Sequence, residues 1–263
     1  MTEFFVAIAI LLVTGLICAV ILALVSKYFG VEEDERQVKV REALPGANCG
    51  ACGYTGCDGY AEALAKGEAE PHLCVPGAKA VAEKIAEILG VEAGKVSEIM
   101  PYVHCNGVFG ALERPVEFEG HPSCAIMSLA SGGPTACKFS CLGGGDCAKV
   151  CPTDAICIKD GVARIDRRKC ISCGACVKAC PKHIIEMIPK GARVAVACSS
   201  CDPGAVARKN CKNACIGCKK CEKTCPHGAI TVIDNLARID YSKCTGCGAC
   251  AEVCPTGCIK EKP

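Results

Sequence analysis

A cysteine-rich segment occurs twice in the chain, 74 residues apart, and this duplication constrains the fold more than any other feature. The copies begin at Cys151 (CPTDAICIKDGVARIDRRKCISCGACVKACP) and at Cys225 (CPHGAITVIDNLARIDYSKCTGCGACAEVCP). They share ARID, CGAC and the position of every Cys-Pro pair. Self-similarity at a fixed offset indicates a duplicated folding unit.

The cysteine spacing C-x2-C-x2-C-x3-C-P is typical of bacterial ferredoxins that hold two [4Fe-4S] clusters. In that layout three cysteines of one run bind one cluster, and the fourth, before proline, binds the other. The second copy therefore predicts two complete ligand sets. They are Cys215, Cys218, Cys221 and Cys254, and Cys244, Cys247, Cys250 and Cys225.

The first copy departs from this spacing in CKFSCLGGGDCAKVCP, residues 137–152, where Gly144 stands at the position of Cys218. Cys137 lies one turn upstream and is the predicted replacement, since three glycines give the loop unusual backbone freedom. The predicted sets are Cys137, Cys141, Cys147 and Cys180, and Cys170, Cys173, Cys176 and Cys151. Two alternatives stay open: a three-iron cluster that leaves Cys137 unbound, and Asp146 as an oxygen ligand.

A further group occurs near the amino end, in LPGANCGACGYTGCDGYAEALAKGEAEPHLCVPG. Its spacing is C-x2-C-x4-C-x16-C, and the ligands would be Cys49, Cys52, Cys57 and Cys74. We predict a [4Fe-4S] cluster, with structural zinc as the alternative because zinc also binds four cysteines. The chain is thus expected to hold five [4Fe-4S] clusters.

Eight of the 28 cysteines stay unassigned. They are Cys18, Cys105, Cys124, Cys157, Cys198, Cys201, Cys211 and Cys258. Cys18 lies in a long uncharged run, we interpret the rest as small buried hydrophobic residues, and we expect Cys211 to be free of metal. A further metal on Cys105 with Cys124, or on Cys198, Cys201 and Cys211, is the alternative.

The first 27 residues predict a membrane anchor. Residues 4–26 contain no charge, and a helix needs about 20 apolar residues to span a bilayer core. The run lacks the basic start of a cleaved signal peptide, so we expect an uncleaved helix; a buried hairpin helix is the alternative.

Basic residues follow the run and none precedes it, which predicts that the soluble domains lie on the cytoplasmic side of the cell (inner) membrane. They are Lys27, Arg36, Lys39 and Arg41. In that reducing compartment cysteines bind metal rather than form a secreted disulfide scaffold.

Charge is distributed unevenly along the chain. Residues 31–120 carry 8 Lys or Arg and 16 Asp or Glu, whereas residues 121–263 carry 21 and 11. A basic half is a feature of nucleic-acid-binding proteins. However, the aromatic content is 4%, Trp is absent and no nucleic-acid motif occurs, so we expect no nucleic-acid partner. The basic residues would instead offset cluster charge or attract an acidic ferredoxin.

These features predict an α+β chain with a single N-terminal transmembrane helix, a small helical and loop [4Fe-4S] domain, and two tandem bacterial-type two-cluster ferredoxin modules. The predicted limits are 1–27 for the anchor, 33–92 for the loop domain, 93–132 for a connecting segment, and 133–195 and 205–263 for the modules. Runs rich in β-branched residues predict two-stranded sheets beside short helices. The run ARVAVACSSC, residues 192–201, is interpreted as a strand that closes the first module.

The order of these parts resembles the B subunits of Rnf complexes, which are ferredoxin:NAD+ oxidoreductases coupled to ion transport and related to the complex that reduces the SoxR regulator. The most specific stretches are LPGANCGACGYTGCDGYAEA, GGPTACKFSCLGGGDCAKVCP and CIGCKKCEKTCP. In that family the widened spacing is typical and binds a [4Fe-4S] cluster, which supports Cys137 as a ligand. The resemblance implies a subunit of an ion-translocating oxidoreductase that receives electrons from soluble ferredoxin. Other membrane and flavin- or NAD-binding subunits would reduce NAD+ and move Na+ or H+.

A membrane-tethered polyferredoxin that serves a hydrogenase or a formate dehydrogenase is the competing interpretation, and a non-redox metal-storage protein is a third. The predicted span contains no acid or base, so we do not expect the chain to be the ion channel itself. It also lacks a G-x-G-x-x-G element between a strand and a helix, so flavin and nicotinamide are expected on other subunits. The chain's own chemistry would be one-electron transfer.

Overall fold

The computed structural model describes residues 2–29, 34–94, 96, 98–129 and 132–261, which form short helices and short strands. The helices are α1 (Thr2–Phe29), α2 (Glu35–Ala43), α3 (Cys57–Ala65), α4 (Ala78–Leu89), α5 (Cys124–Leu129), α6 (Asp146–Lys149), α7 (Ala175–Ala179), α8 (Gly204–Asn210), α9 (Lys220–Thr224) and α10 (Ala249–Glu252), with a 3-10 turn at Pro71–Leu73. The strands are β1 (Ile99–Val103), β2 (Ile156–Lys159), β3 (Val162–Ile165), β4 (Ile185–Pro189), β5 (Val194–Val196), β6 (Ile230–Ile233), β7 (Leu236–Ile239) and β8 (Ile259–Glu261). The predicted α+β class is confirmed.

Helix α1 contains the stretch predicted as a membrane anchor. Its described side chains, at positions 4–5 and 12–24, are exposed. Counting only the residues that the structure describes, no helix is both long and apolar enough to cross a membrane. Part of the predicted anchor lies outside the described residues, namely residue 1 and the side chains of 2–3, 6–11 and 25–27, including that of Lys27.

The loop domain is built from α2, α3 and α4 around a small core. Val40, Tyr60 and Ile85 are almost completely buried in it. Helix α2 begins after Asp34, whose side chain accepts a hydrogen bond from the N–H of Arg36 (2.9 Å) and so caps the helix. Helix α4 presents its apolar face to this core, as its sequence period of three and four residues predicts.

The duplication predicted from the sequence is confirmed element by element. The series α6, β2, β3, α7 and β4 recurs 74 residues later as α9, β6, β7, α10 and β8. In each copy the first two strands form an antiparallel hairpin, β2 with β3 and β6 with β7. Even single hydrogen bonds repeat, because the N–H of Asp166 donates to Ala155 at 2.7 Å and that of Asp240 to Ala229 at 2.7 Å.

The second sheet of each copy is completed by a strand that precedes the copy in the chain. β1, from the predicted connecting segment, pairs antiparallel with β4, and β5 pairs antiparallel with β8. The strand interpretation is therefore confirmed for Val194–Val196, but its assignment to the first module is wrong, because its hydrogen bonds go to the last strand of the second. We call residues 99–189 module A and residues 194–261 module B.

Hydrogen bonds join the two modules just beyond β1 and β5. Nδ1 of His104 donates to the carbonyl of Val196 at 2.7 Å, and the Ser199 hydroxyl donates to the carbonyl of His104 at 2.9 Å. The Asn213 side-chain amide donates to the carbonyl of Asn106 at 2.9 Å. These bonds hold the end of β1 in module A against the end of β5 in module B.

Candidate iron-sulfur sites

The first cysteine group lies where the loop before α3 meets the 3-10 turn. The N–H of Cys57, the first residue of α3, donates to Oδ1 of Asn48 at 2.8 Å and ties the loop to the helix. Gly56 has a φ of 136°, which only glycine adopts readily. The Tyr60 hydroxyl donates to the carbonyl of Glu70 at 2.6 Å and brings the segment before Cys74 onto α3.

The structure brings the four predicted cysteines of this loop domain together. Burial raises the pKa of the Cys74 thiol, and the neighbouring thiols of Cys57, Cys52 and Cys49 raise it further. Neighbouring thiols make ionisation of one another unfavourable because the thiolates repel. A bound metal centre binds the thiolate form, so a group of thiols this close together is a suitable ligand set. The geometry therefore fits the predicted site, while the choice of these four as ligands stays a prediction.

Module B contains two small cavities lined by cysteine. One is lined by Cys215, Cys218, Cys221, Cys254 and Cys258, and the other by Cys225, Cys244, Cys247 and Cys250. Each cavity combines three cysteines of one run with the cysteine before proline of the other run. This is the ligand exchange that the ferredoxin spacing predicts, and the remaining walls are largely apolar side chains such as Val232 and Ile239.

Cys258 adds a fifth thiol to the first of these cavities, and its role was not assigned from the sequence. It is 1% exposed and hydrogen-bonds to the thiols of Cys215 and Cys254. Burial raises the pKa of both thiols, but these hydrogen bonds outweigh it. They lower the pKa of Cys215 to about 6 and that of Cys254 to about 4. A donor beside two ligand sulfurs is one of the means by which proteins tune cluster potential.

One site in module A matches its counterpart in module B. Burial raises the pKa of Cys170, and the thiols of Cys173 and Cys151 contribute to the rise. Cys176 behaves in the same way, with a pKa of about 11 caused by burial and then by Cys170 and Cys173. The N–H of Ala155 donates to the sulfur of Cys151 at 3.3 Å, as that of Ala229 does to Cys225 at 3.4 Å. All four predicted ligands thus meet.

The cavity at the other site in module A is lined by Cys124 and not by Cys137. The cysteines in its lining are Cys124, Cys141, Cys147 and Cys180. A β-carbon at Gly144 would lie 2.6 Å from the backbone nitrogen of Cys124 and 3.1 Å from its sulfur. The Cys124 thiol therefore lies next to the space that a side chain at the position of Cys218 would fill.

Asp146 holds Cys124 in this place. Its carboxylate accepts hydrogen bonds from the Ser123 hydroxyl at 3.0 Å and from the N–H of Ala125 at 2.9 Å. Both flanking residues of Cys124 are thereby fixed to the start of α6. The carboxylate considered as an oxygen ligand on sequence grounds also lines this cavity, and its hydrogen bonds here go to the two neighbours of Cys124.

Cys137 lies in a different buried group, with Leu112, Ala207 and Cys211. Burial raises the pKa of its thiol, and the thiols of Cys105 and Cys211 raise it further. It is absent from the lining of the cavity that contains Cys141. Proximity therefore favours Cys124 as the fourth ligand there, although Cys124 stands outside every repeated cysteine run and spacing gives no signal for it.

Three family models match the regions just described. A model described as "Putative Fe-S cluster" matches residues 44–76, "4Fe-4S binding domain" matches 163–186, and "4Fe-4S dicluster domain" matches 214–258. The loop domain and both modules thus each match an iron-sulfur family. The chain carries [4Fe-4S] domains.

Relatives cover nearly the whole chain. The B subunit of the Na+-translocating ferredoxin:NAD+ oxidoreductase complex of Acetobacterium woodii is 44% identical over 90% of this chain and 72% of its own. The B subunit of the proton-translocating complex of Clostridium ljungdahlii is 43% identical over 89% and 83%. The chain belongs to this family of B subunits. A further member, the B subunit of the ion-translocating oxidoreductase complex of Methanosarcina acetivorans, is 36% identical over 90% of each chain.

Among the residues that the structure describes, no three His, Cys, Asp or Glu side chains form a group that could hold one metal ion. This includes the two cavities of module B, most of whose lining residues lie within residues 214–258, which match the dicluster model.

Proposed function

We propose that this chain accepts electrons from reduced ferredoxin and passes them on within an Rnf-type complex that reduces NAD+ and moves Na+ or H+. One observation carries the proposal: two cavities of module B are each lined by the cysteines of one predicted ligand set, in a chain that is 43–44% identical to B subunits of two such complexes. The bound clusters would supply centres that accept and release one electron each. The chain is thus an electron carrier within an oxidoreductase, and other subunits of the complex are its partners.

The proposed ligand sets for five [4Fe-4S] clusters follow the prediction with one change. They are Cys49, Cys52, Cys57 and Cys74; Cys124, Cys141, Cys147 and Cys180; Cys151, Cys170, Cys173 and Cys176; Cys215, Cys218, Cys221 and Cys254; and Cys225, Cys244, Cys247 and Cys250. Cys124 is supported by its place in the cavity and by the bonds that Asp146 makes to its neighbours. Cys137 remains the competing assignment for that position.

The polypeptide would tune these centres through its backbone and its apolar walls. Amide N–H groups donate to the sulfurs of Cys151, Cys170 and Cys225 at 3.3 to 3.4 Å. Such bonds stabilise negative charge on sulfur and raise reduction potential, while burial excludes water and acts in the opposite direction. Differences in these two factors between sites would set the direction of electron flow.

Helix α1 is proposed as the anchor in the cell (inner) membrane, with the soluble domains on the cytoplasmic side. The uncharged residues 4–26 support this, as do the exposed apolar side chains of α1, for example Phe4 at 70% and Leu16 at 68%. Membership of a family of ion-translocating complexes also implies association with a membrane. Protease protection in sealed vesicles tests it: the modules should be digested only when the cytoplasmic face is accessible.

The proposal is tested by mixing the anaerobically purified chain with chemically reduced ferredoxin and following its visible absorbance. We expect cluster absorbance to fall within seconds, and the rate to decrease as salt rises, because the basic half attracts an acidic partner. Partners recovered from membranes should include a flavin-bearing subunit. Recovery of hydrogenase or formate dehydrogenase subunits would instead favour the polyferredoxin interpretation, and an iron-free, zinc-loaded chain would exclude electron transfer.

A further inference from the structure

Four cysteines outside the five proposed ligand sets meet between the two modules. They are Cys105, Cys137, Cys198 and Cys211. Cys137 and Cys211 are each 7% exposed and share a buried group with Leu112, and Cys198 packs against that group. Leu112 forms an isolated β-bridge with Cys211, which draws the segment after Cys105 onto module B. The Ser200 hydroxyl, in a residue 1% exposed, hydrogen-bonds to the thiol of Cys137.

Two of these cysteines occupy equivalent places in the duplicated fold. Cys105 follows β1 by two residues, and Cys198 follows β5 by two residues. The sulfur of Cys105 accepts the N–H of Gly107 at 3.4 Å, and that of Cys198 accepts the N–H of Ser200 at 3.4 Å.

Each of these two sulfurs also accepts a second amide, from the first cysteine of the adjoining ligand run. The N–H of Cys141 donates to Cys105 at 3.4 Å, and the N–H of Cys215 donates to Cys198 at 3.3 Å. Paired amide donors stabilise negative charge on sulfur, as in the environment of a cluster ligand.

The other two cysteines are also equivalent, since Cys137 lies four residues before Cys141 and Cys211 lies four residues before Cys215. Each module therefore contributes the same two thiols to the interface. Burial raises the pKa of Cys198 to about 12, with Cys215 and then Cys137 adding to the rise, and the pKa of Cys211 is raised by burial and by Cys105. The thiols are thus near enough to act on one another across the module boundary.

We propose that Cys105, Cys137, Cys198 and Cys211 hold a sixth [4Fe-4S] cluster between modules A and B. Four cysteine thiolates can hold either an iron-sulfur cluster or zinc, and the test below distinguishes the two. The proposal rests on the proposed electron-transfer function. Through Cys105 and Cys198 the site adjoins the ligands Cys141 and Cys215. It would take one electron from one module and give one to the other, with no bond formed or broken.

Iron and acid-labile sulfide in the anaerobically reconstituted full chain test the proposal. Six clusters give about 24 irons per chain, against about 20 for five. Cys137→Ser and Cys211→Ser should each lower the count by between about one and four, because each leaves the cluster with three thiolates. The double variant should lose no more than about four, since both residues serve the same cluster. The electron paramagnetic resonance signal of the reduced chain should integrate to about one sixth fewer spins in each variant than in the wild type.

Cys201→Ser is the matched control, because Cys201 lies in the same CSSC segment but directs its thiol to the carbonyl of Ser199. It should retain full iron. Leu112→Val, which disturbs the same core without removing a thiol, separates loss of packing from loss of a ligand.

Three results would overturn the proposal. One is a wild-type count near 20 irons that neither variant lowers. Another is iron loss in Cys137→Ser but not in Cys211→Ser, which would return Cys137 to the Cys141 set. The third is zinc in place of the missing iron. A chain with about 24 irons that reduced ferredoxin fails to reduce would instead refute the proposed function and leave this site standing.

Discussion

The repeated parts of modules A and B have matching strands, short helices and turn hydrogen bonds, yet the cysteines at one predicted cluster site differ between them. In module B the run itself supplies three cysteines, including Cys218. In module A the equivalent residue is Gly144, and the cavity is lined instead by Cys124 on a separate helix. If Cys124 is the fourth ligand, as proposed, a ligand has moved to another segment while the scaffold that holds the other three stays unchanged.

The segment between the first strand and the ligand run accounts for this difference. In module A it comprises residues 104–140 and includes α5 with Cys124, whereas in module B it comprises only residues 197–214. The longer segment packs Cys124 and Met127 against Leu142. Added length thus supplies the thiol that the run has lost.

The largest effect is expected from removing the fourth ligand in either module. Cys124→Ala should cost module A between one and four irons per chain, and Cys218→Ala should do the same in module B, because each leaves a cluster with three thiolates. Iron analysis and electron paramagnetic resonance of the oxidised chain would detect the loss and any three-iron product. A wild-type iron content in Cys124→Ala would show that another residue is the fourth ligand.

A smaller effect is expected from adding a single carbon at Gly144. Its β-carbon would lie 2.6 Å from the nitrogen of Cys124 and 2.8 Å from the carbonyl carbon of Ser123, and such backbone atoms cannot rotate away. Gly144→Ala should therefore lower the free energy of unfolding by about 1 to 3 kcal/mol. The measurement is thermal unfolding of the iron-loaded chain.

Gly191→Ala is the control for that variant, since no described atom beyond its chain neighbours lies within 4 Å of its β-carbon position. Equal melting temperatures for the two variants would mean that the segment carrying Cys124 moves aside freely. That result would argue against Cys124 as the fourth ligand.

A change in potential rather than in iron content is expected from exchanging Cys258 with its counterpart Ile184. Ile184 is 3% exposed and lines the cavity in module A, but it has no S–H to donate. Cys258→Ile should lower the potential of its cluster by tens of millivolts, because a hydrogen bond to ligand sulfur is lost. Ile184→Cys should raise the potential in module A. Redox titration followed by electron paramagnetic resonance measures both, and shifts of the same sign would contradict the assignment.

The smallest effects are expected at the hydrogen bonds between the modules. Ser199→Ala and Asn213→Ala each remove one bond of 2.9 Å and should each lower the free energy of unfolding by about 1 kcal/mol. Hydrogen exchange at His104 and Asn106 should rise in both. Ser242→Ala, which removes an exposed bond within module B, is the control and should leave those amides unchanged.

Structural features that depend on residues close together in the chain, or that occur in both copies, can be predicted from the sequence. The ligand exchange in module B follows from two short runs, and the hairpins follow from β-branched residues close together in the chain. Cys124 could not be found in this way, because its relation to Gly144 depends on hydrogen bonds from Asp146 to a segment about 20 residues upstream. The partner of β5 was wrongly assigned for the same reason, since β8 lies at the far end of module B.

The equivalence of Cys105 and Cys198 is likewise visible only in three dimensions. By the offset of the repeat Cys198 corresponds to Cys124, whereas by strand pairing it corresponds to Cys105. The different segment lengths before the two ligand runs hide the structural match. The repeat alone therefore gives Cys211 no role, and the structure gives it three neighbouring thiols.

The strand that completes each module also sets an order of assembly during synthesis. Module A has all its strands once residue 189 has been made, because β1 precedes the rest of it. Val194, Ala195 and Val196 of β5 are each less than 5% exposed in the finished protein, yet their partner is Ile259–Glu261 at the very end of the described chain. While the ribosome makes the intervening residues, this edge has no strand beside it. Module A can thus close, and gain its iron, before module B has a complete sheet.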